Sequence, residues 1–354
     1  MQQESIKDVI IIGGGQSALA CAYFLSRRTK LDFLLLDDQE KCGGSWLKTW
    51  DSLTLFSPAK YSSLPGWMMP ENKQQTYPSR DEVIDYLCKY EKRYKIPVER
   101  PVEVNQVDKV ESIFKVQSEE KTFRARCVIS ATGTWRKPFI PEIDGFEKFK
   151  GKSIHSAHYR NPLAFKGMRV LVVGEGNSGA QILADLSPYA TAVWGVKNAP
   201  EYLPDDVDGS VLFNLATAKY HAQQKGETFD ATKYNLGNIV MVPSVKKARE
   251  RGDLKAKGRI QSFHEKGVFW EDGAKSEFDA VIWCTGFGYA TQHLEKLLSS
   301  DTKGKAATNG TRSKEVSGLW LVGYGGWTGY ASATMMGVGR TAKKTVEEIK
   351  AFLG

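Results

Sequence analysis

Residues Val9 to Leu25 read VIIIGGGQSALACAYFL, and residues Val170 to Leu186 read VLVVGEGNSGAQILADL. An offset of 161 residues aligns Gly13 with Gly174 and Gly15 with Gly176. Each begins with four aliphatic residues, too few and too continuous for an amphipathic helix, and passes through glycines into small residues typical of a close-packed helix. The pattern predicts the order strand, turn, helix twice in one chain.

A second repeat lies between and after these two units. CVISATG (Cys127 to Gly133) and AVIWCTG (Ala280 to Gly286) are both apolar strands that end in Thr-Gly. Along the chain, each strand–turn–helix unit is followed by one Thr-Gly strand, and a tail comes last. This order predicts an α/β fold with two Rossmann-like dinucleotide-binding domains, the second inserted into the first. We predict a first domain of residues 1–140 and 288–354 and an inserted domain of residues 141–287.

The glycine spacing G-x-G-x-x-G/A has a physical meaning when it follows a strand. The first glycine permits a tight turn, the second lets backbone N–H groups approach a pyrophosphate, and the third small residue lets helix and strand pack closely. The six positions are Gly13, Gly15 and Ala18 in the first copy, and Gly174, Gly176 and Gly179 in the second. One such motif is weak evidence, but two copies predict two dinucleotide sites.

The end of the following strand distinguishes the two ligands. In the first copy DFLLLD ends at Asp37, where a carboxylate accepts from ribose hydroxyls and repels a 2′-phosphate, so this site suits FAD or NAD. In the second copy Asn198 occupies the equivalent position and Lys197 stands beside it. A cation in place of an acid favours NADPH, although a lysine discriminates less sharply than an arginine. An exposed surface lysine without this role is the alternative.

Composition and cysteines exclude several classes of protein. The 354 residues carry 49 Lys+Arg against 41 Asp+Glu, a net charge of +8, but the basic residues are scattered and no nucleic-acid-binding module accompanies them. The uncharged stretch at Val9 to Leu25 is too short for a membrane span and is interrupted by glycines.

The five cysteines are widely spaced without C-x-x-C, which predicts free thiols, a cytoplasmic location and no redox pair of the thiol-disulfide reductase type. The histidines at 155 and 158 have no neighbouring acid or cysteine to complete a metal site, so no metal is predicted.

Between the two units, FKGKSIHSAHY (Phe149 to Tyr159) matches F-x-G-x-x-x-H-x-x-x-Y at four fixed positions. This stretch resembles the identifying sequence of class B flavoprotein monooxygenases, which include flavin-containing and Baeyer–Villiger monooxygenases. GGSW (Gly43 to Trp46), YPSRDEVIDYL (Tyr77 to Leu87) and the Ala-Thr-Gly at Ala131 to Gly133 extend the resemblance over essentially the whole chain. Within the group, the chain is similar to small bacterial flavoproteins associated with arsenic-resistance operons.

The resemblance implies an enzyme that uses FAD, O₂ and NADPH, with NADH as an accepted coenzyme in some relatives. In the reaction that the resemblance implies, hydride would pass to the flavin, and a C4a-(hydro)peroxyflavin would transfer one oxygen atom to a soft nucleophile such as a sulfide, with ketones or arsenicals as further substrates. Two alternatives stay open: an NAD(P)H-dependent flavin reductase or oxidase without oxygen insertion, and a non-catalytic cofactor-sensing protein. The predicted partner is a small-molecule substrate, with no nucleic acid or membrane partner, and a homodimer is an open alternative to a monomer.

The motifs and the resemblance together nominate the site residues. For FAD they are Gly13, Gly15, Gln16, Ser17, Asp37, Gly44, Ser45, Trp46, Val104, Ala131, Thr132, Gly133 and Thr328. For NADP they are Gly174, Gly176, Asn177, Ser178, Gly179, Lys197, Asn198, Thr285 and Gly286. Two catalytic candidates complete the set: Ser57, which follows Leu55-Phe56 where many flavin-containing monooxygenases have a Thr-Asn pair, and Asp206 in an acidic loop.

Overall fold

The computed structural model describes residues 5–226 and 238–354. The chain divides into two compact units. The first unit combines Met1–Leu47, Pro58–Lys137 and Phe287–Gly354, and the second combines Lys48–Ser57 and Pro138–Gly286. The chain therefore leaves the first unit twice, briefly at Lys48–Ser57 and then for the long segment Pro138–Gly286, and its last part returns to the first unit.

The opening part of the first unit is a mainly parallel sheet with helices. Its elements are β1 (Lys7–Ile12), α1 (Gln16–Arg28), β2 (Phe33–Leu36), α2 (Arg80–Arg93), β3 (Val98–Glu99), β4 (Gln106–Val110), β5 (Ile113–Gln117) and β6 (Thr122–Ser130). Strands β3, β2, β1 and β6 lie side by side in that order and run parallel. The β4–β5 hairpin joins the edge of β6 in antiparallel pairing.

The second unit contains a separate, wholly parallel sheet. Its elements are β7 (Lys152–His155), β8 (Arg169–Val173), α3 (Asn177–Leu186), β9 (Thr191–Gly195), α4 (Gly209–Lys225), α5 (Pro243–Glu250), β10 (Ala256–Gly258), β11 (Ile260–His264), β12 (Gly267–Trp270), β13 (Lys275–Glu277) and β14 (Ala280–Trp283). The strand order is β10, β9, β8, β14, β7. Strands β11 to β13 form a small antiparallel sheet.

The returning segment completes the first unit. It forms β15 (Thr308–Asn309), β16 (Arg312–Ser313), β17 (Leu319–Leu321) and α6 (Met335–Leu353). Strand β17 pairs in parallel with β6, and α6 packs against α1. Helix α6 begins where the hydroxyl of Thr334 accepts a hydrogen bond from the N–H of Gly337 at 3.0 Å. Among the described helices, none is long and apolar enough to cross a membrane.

The two repeats found in the sequence occupy equivalent places in the two sheets. Strand β1 lies between β2 and β6, and β8 lies between β9 and β14. The N–H of Gly13 donates to the carbonyl of Leu36 at 2.8 Å, and the N–H of Gly174 donates to the carbonyl of Gly195 at 3.0 Å. Each glycine turn therefore starts with the same link to the next strand. The Thr-Gly strands are the partners on the other side, as β6 and β14.

The short segment Lys48–Ser57 belongs to the second unit, whereas the predicted boundaries put it in the first. Trp50 is 5% exposed and lies in a hydrophobic core with Tyr159. The N–H of Asp51 donates to the carbonyl of Arg160 at 2.8 Å. The sequence pattern does not reveal this placement because the segment contacts residues more than a hundred positions away.

The prediction that all five cysteines are free is wrong. Cys42 and Cys88 form a disulfide with Cα atoms 5.2 Å apart, while Cys21, Cys127 and Cys284 are free. The bonded pair is separated by 46 residues, so no short motif marks it. Cys88 lies on α2, and Cys42 lies in the loop that precedes GGSW. The two cysteines are close enough to bond because α2 packs beside this loop.

Replacing Cys42 and Cys88 by serine is expected to lower the free energy of unfolding by about 2–4 kcal/mol, because the cross-link restricts the unfolded chain. Denaturant unfolding of the wild type with and without a reductant measures the effect. The double variant is the control, because the reductant should not change its free energy of unfolding. Alkylation of all five cysteines in the denatured, unreduced protein would contradict the pairing, because only the three free thiols should react there.

Candidate functional site

The two glycine turns have nearly the same backbone geometry. The residue before α1, Gly15, has φ −86° and ψ −174°, and the residue before α3, Gly176, has φ −92° and ψ −173°. Neither helix has a side-chain cap or an acidic residue in its first turn. Both helix N-termini therefore have backbone N–H groups without a side-chain cap and a positive dipole end, the features that favour an anion.

The first glycine of each turn is required by the protein itself. Gly13 has φ +113°, and a Cβ atom there would lie 2.6 Å from the carbonyl oxygen of Ala131. Gly174 has φ +125°, and a Cβ atom would lie 2.3 Å from the carbonyl oxygen of Cys284. Each turn thus packs directly against the end of its Thr-Gly strand, where a side chain has no room.

The second glycine of each turn is different. A Cβ atom on Gly15 or on Gly176 would meet no protein atom within 4 Å, and neither residue has a positive φ. Glycine at these positions therefore serves no internal packing need. The open space above both backbones fits the close approach of a dinucleotide pyrophosphate.

The third position packs the helix onto the turn. A Cβ atom on Gly179 would lie 2.0 Å from the carbonyl oxygen of Gly174, whereas Ala18 fits in the first copy and is fully buried. The predicted role of this position in helix–strand packing agrees with these contacts.

The GGSW loop lies against the first turn. A Cβ atom on Gly44 would be 2.6 Å from the Cα atom of Gly15, and Gly44 has φ +54°. The indole N–H of Trp46 donates to Oε1 of Gln16 at 2.9 Å, and Nε2 of Gln16 donates to the carbonyl of Ala333. The structure thus brings together four predicted FAD residues from two separate motifs.

Asp37 is fully buried at the end of β2. Its Oδ2 accepts from Nε of Arg100 at 3.1 Å, and the same guanidinium makes a forked pair with Glu91 at 2.8 and 2.6 Å. A Cβ atom on Gly14 would lie 2.1 Å from the Asp37 carboxylate, so the variable position of this motif also requires glycine. Burial raises the pKa of Asp37 to about 6, against the lowering effect of Arg100. No sequence motif contains Arg100 or Glu91, so the sequence alone does not predict this network.

Two predicted FAD residues are held by a buried chain of hydrogen bonds. The hydroxyl of Thr132 donates to the carbonyl of Ala290 at 2.6 Å and lies 2.7 Å from the hydroxyl of Tyr324, which lies 2.6 Å from that of Ser130. Since each hydroxyl has one proton, Tyr324 donates to Thr132, Ser130 donates to Tyr324, and Nε2 of His293 donates to Ser130 at 3.0 Å. The N–H of Ala290 donates to the carbonyl of Gly133 at 2.9 Å, so the returning chain is bonded to the Ala-Thr-Gly segment at two points.

The other predicted FAD residues have varied surroundings. Ser17 is buried, and a Cβ atom on Gly323 would lie 2.0 Å from its hydroxyl oxygen. Ser45 is exposed, and Val104 packs against the core of the first unit. Thr328 is buried, and its hydroxyl accepts from the N–H of Tyr324 at 3.0 Å, so this side chain stabilises its own turn.

In the second unit, Asn177 uses its side chain within the protein. Its amide donates to the carbonyl of Asn238 at 3.1 Å and accepts from the N–H of Val240 at 2.9 Å. Ser178 is half-buried at the start of α3. The hydroxyl of Thr285 donates to the carbonyl of Phe139. Asn177 and Thr285 thus position nearby backbone segments.

The fingerprint stretch explains how the second Thr-Gly corner is held. His155 is buried, and its Nε2 donates to the carbonyl of Gly286 at 3.0 Å while its Nδ1 accepts from the N–H of Ala157 at 3.1 Å. Burial lowers the pKa of His155, which keeps the ring neutral. Tyr159 donates to Asp185 at 2.7 Å. The fingerprint therefore fixes the backbone of a predicted NADP residue.

Glu175, which the sequence analysis did not single out, lies at the corner of the second turn. Its Oε2 accepts from the N–H of Lys197 at 3.3 Å, and its Oε1 accepts from the amide of Asn198 at 3.1 Å. The two predicted coenzyme-reading residues are thus bonded to one carboxylate. The prediction that Asn198 is equivalent to Asp37 is wrong, because Gly195 bonds to the second turn as Leu36 bonds to the first, so Val196 is the equivalent residue. The sequence signal for this carboxylate is an acidic residue between the two glycines, combined with a neutral residue where the first copy has an acid.

The segments that carry the two catalytic candidates meet. The N–H of Gly209 donates to the carbonyl of Phe56 at 2.7 Å, and a Cβ atom on Gly209 would lie 2.6 Å from Cβ of Ser57. Asp206 is exposed three residues before this glycine. Its acidic neighbour Asp208 caps α4 by accepting from the N–H of Ser210 at 2.9 Å. Within residues 5–226 and 238–354, no group of three or more His, Cys, Asp or Glu residues is arranged to hold a metal ion.

Lys197→Ala is expected to weaken NADPH binding several-fold more than NADH binding, because only NADPH carries the 2′-phosphate that an ammonium group attracts. Equilibrium titrations with each coenzyme measure the difference. Lys255→Ala, an exposed lysine of the same unit, provides the control. Equal losses for the two coenzymes would show that Lys197 does not contact the phosphate.

Comparison with known proteins identifies the family. The family model described as pyridine nucleotide-disulphide oxidoreductase matches residues 10–323, and the chain belongs to this family. An uncharacterized CzcO-like oxidoreductase of Geobacillus kaustophilus is 31% identical over 98% of this chain and 99% of its own length. An indole-3-pyruvate monooxygenase of Oryza sativa subsp. japonica is 28% identical over 97% of this chain and 87% of its own length.

Solved structures of flavoproteins are also similar to this chain. The flavin-containing monooxygenase of Stenotrophomonas maltophilia is 43% identical, with a TM-score of 0.90 over 99% of this chain and 100% of that chain. The bacillithiol disulfide reductase of Staphylococcus aureus, at 16% identity and a TM-score of 0.72 over 98% of this chain and 99% of that chain, shares the fold. The predicted resemblance to flavoprotein monooxygenases is confirmed, and the protein is an oxidoreductase. FAD and NADP, the predicted cofactors, are those of this class.

Proposed function

We propose that the protein is an FAD- and NAD(P)H-dependent monooxygenase of soft nucleophiles such as sulfides, with ketones and arsenicals as further substrates. In this proposal the first unit is a Rossmann-like domain that binds FAD, and the second is a Rossmann-like domain that binds the nicotinamide coenzyme. The observation that carries the proposal is the pair of uncapped helix N-termini with open space above Gly15 and Gly176. The 43% identity to a flavin-containing monooxygenase supports the oxygen-inserting reaction.

When bound, FAD supplies the oxygen chemistry, and the chain supplies binding and orientation. The first-turn N–H groups of α1 would hold its pyrophosphate. Gln16 would fix the turn relative to the GGSW loop through its bond to Trp46. In the second unit, the first-turn N–H groups of α3 would hold the coenzyme pyrophosphate, and His155 would keep the Gly286 corner in place.

Ser57 and Asp206 are the proposed catalytic-site residues of this chain. The contact of Gly209 with Phe56 and Ser57 keeps the acidic loop beside the segment that carries Ser57. A hydroxyl at Ser57 can donate a hydrogen bond where many flavin-containing monooxygenases have an asparagine amide. Ser57→Ala tests this role through the fraction of consumed coenzyme that appears as peroxide.

A second candidate function is reduction of a disulfide substrate. The Cys42–Cys88 disulfide favours it, because this bond lies in the loop that reaches the first glycine turn. In this function the dithiol form of the pair would pass two electrons to a substrate disulfide by thiol–disulfide exchange. Reduction of oxygen without insertion is the third outcome.

Product stoichiometry separates the three functions. A monooxygenase converts NADPH, H⁺, O₂ and a sulfide into NADP⁺, water and a sulfoxide, so sulfoxide formed should equal NADPH consumed. Stoichiometric peroxide with every sulfide, ketone and arsenical tried would overturn the monooxygenase proposal. In an anaerobic titration, one equivalent of NADPH should reduce the wild type fully. If the wild type consumes a second equivalent of NADPH and the Cys42→Ser variant does not, the disulfide accepts electrons.

A further inference from the structure

Glu175 occupies the variable position between the two first glycines of the second turn, and it is half-buried. Its carboxylate does not point away into solvent, because both oxygens are bonded to the end of β9. Oε2 accepts from the N–H of Lys197 and Oε1 accepts from the side chain of Asn198. The carboxylate therefore spans the corner between the glycine turn and the end of the next strand.

The first turn contains the same arrangement with the residues exchanged. There the variable position is Gly14, and the carboxylate comes from Asp37 at the strand end, against the Cα atom of Gly14. In the second turn Val196 follows β9 in the place of Asp37, and the carboxylate comes from Glu175, which bonds to the two residues after Val196. Both units thus place one carboxylate between the glycine turn and the strand end, although from opposite partners.

This corner is where a dinucleotide bound at a glycine turn places its adenosine ribose. A carboxylate there accepts hydrogen bonds from the ribose hydroxyls, and each oxygen of Glu175 keeps a lone pair beyond its present bond. A 2′-phosphate in the same place would meet a like charge at short range. Lys197 attracts that phosphate, but its side chain is exposed and flexible, so it offsets the repulsion only in part.

We infer that Glu175 is the residue that determines coenzyme specificity in the second unit. Its carboxylate binds the adenosine ribose and disfavours a 2′-phosphate, so the site binds NADH at least as well as NADPH. The inference rests on the proposed function of the second turn, and it assigns to this chain a ribose-binding acid that the strand end lacks.

The test is equilibrium binding of NAD⁺ and NADP⁺ to the purified holoenzyme, followed by calorimetry, which needs no turnover. Glu175→Gln keeps the side-chain shape and a hydrogen-bonding oxygen but removes the charge. We expect this variant to bind NADP⁺ roughly tenfold more tightly, because the residues beside the carboxylate are exposed and water weakens the repulsion between the two charges. It should bind NAD⁺ several-fold more weakly, because a neutral amide oxygen accepts weaker hydrogen bonds from the ribose than a carboxylate does. Raising the salt concentration should reduce the gain for NADP⁺, because added ions screen the interaction between charges.

Two controls make the outcome specific. Glu250→Gln removes an exposed carboxylate of the same unit at the end of α5 and should leave the ratio of the two dissociation constants unchanged. Equal changes in both constants in Glu175→Gln would show a merely structural role and overturn the inference while leaving the proposed function intact. If neither coenzyme binds the wild type, or if Gly176→Val binds both normally, the proposed function falls, and the inference falls with it.

Discussion

Gly15→Val is expected to abolish FAD binding while the protein stays folded, and Gly176→Val is expected to do the same to the nicotinamide coenzyme. A Cβ atom on either residue meets no protein atom within 4 Å, and both backbones have conformations that any residue adopts. The cost to folding should stay near 1 kcal/mol, the usual effect of changing a helix N-cap. The valine fills the space where the pyrophosphate approaches, and losing two charge-assisted hydrogen bonds of roughly 1.5–3 kcal/mol each weakens binding by at least about 100-fold.

Each variant is the control for the other. Bound flavin is measured by the visible spectrum of the purified protein, coenzyme binding by calorimetry, and folding by denaturant unfolding. Gly13→Ala provides the structural contrast, because its Cβ atom would overlap the carbonyl of Ala131 at a positive φ, so it should lose stability as well as FAD. A Gly15→Val protein that retains FAD at wild-type affinity would show that FAD does not lie at this turn.

Arg100→Met is expected to lower the free energy of unfolding by about 3–5 kcal/mol at pH 8, because removing one member of a buried ion pair leaves its partner charge unpaired. Two carboxylates, those of Asp37 and Glu91, lose their shared guanidinium. The side chain of Arg100 is only 16% exposed, so solvent does not replace it.

The effect should depend on pH in a definite direction. Burial has already raised the pKa of Asp37 to about 6, and Arg100 lowers it, so the variant raises this pKa further. An acid whose folded-state pKa lies above its unfolded value destabilises the folded state as pH rises from the unfolded pKa to the folded one. The loss in Arg100→Met should therefore be largest above pH 7 and smaller at pH 5, where Asp37 is protonated.

Denaturant unfolding at pH 5 and pH 8 measures this difference. Arg136 makes the matched control, since it pairs with both Asp38 and Glu103 but is 41% exposed. Arg136→Met should cost less than about 1 kcal/mol at either pH, as exposed ion pairs do. If both variants lose the same free energy of unfolding at both pH values, Asp37 is not the charged partner that Arg100 stabilises.

Local sequence determined the parts of this protein that depend on neighbouring residues. The strand–turn–helix units, the two Thr-Gly strands and the glycine positions follow from apolar runs and from glycine spacing, because a turn and its helix are built within about ten residues. The fingerprint from Phe149 to Tyr159 identified the protein class for the same reason. Local sequence alone therefore predicts these features and the enzyme class.

Other features depend on contacts between residues far apart in the chain, and only the tertiary structure decided them. Cys42 and Cys88 pair because α2 packs beside a loop 46 residues away, which no spacing rule anticipates. The segment Lys48–Ser57 joins the second unit because Trp50 finds its core there. Arg100 and Glu175 act on predicted residues through side chains that reach across a corner. Burial and charge pairing arise from the whole fold, whereas a turn motif is complete in its own few residues.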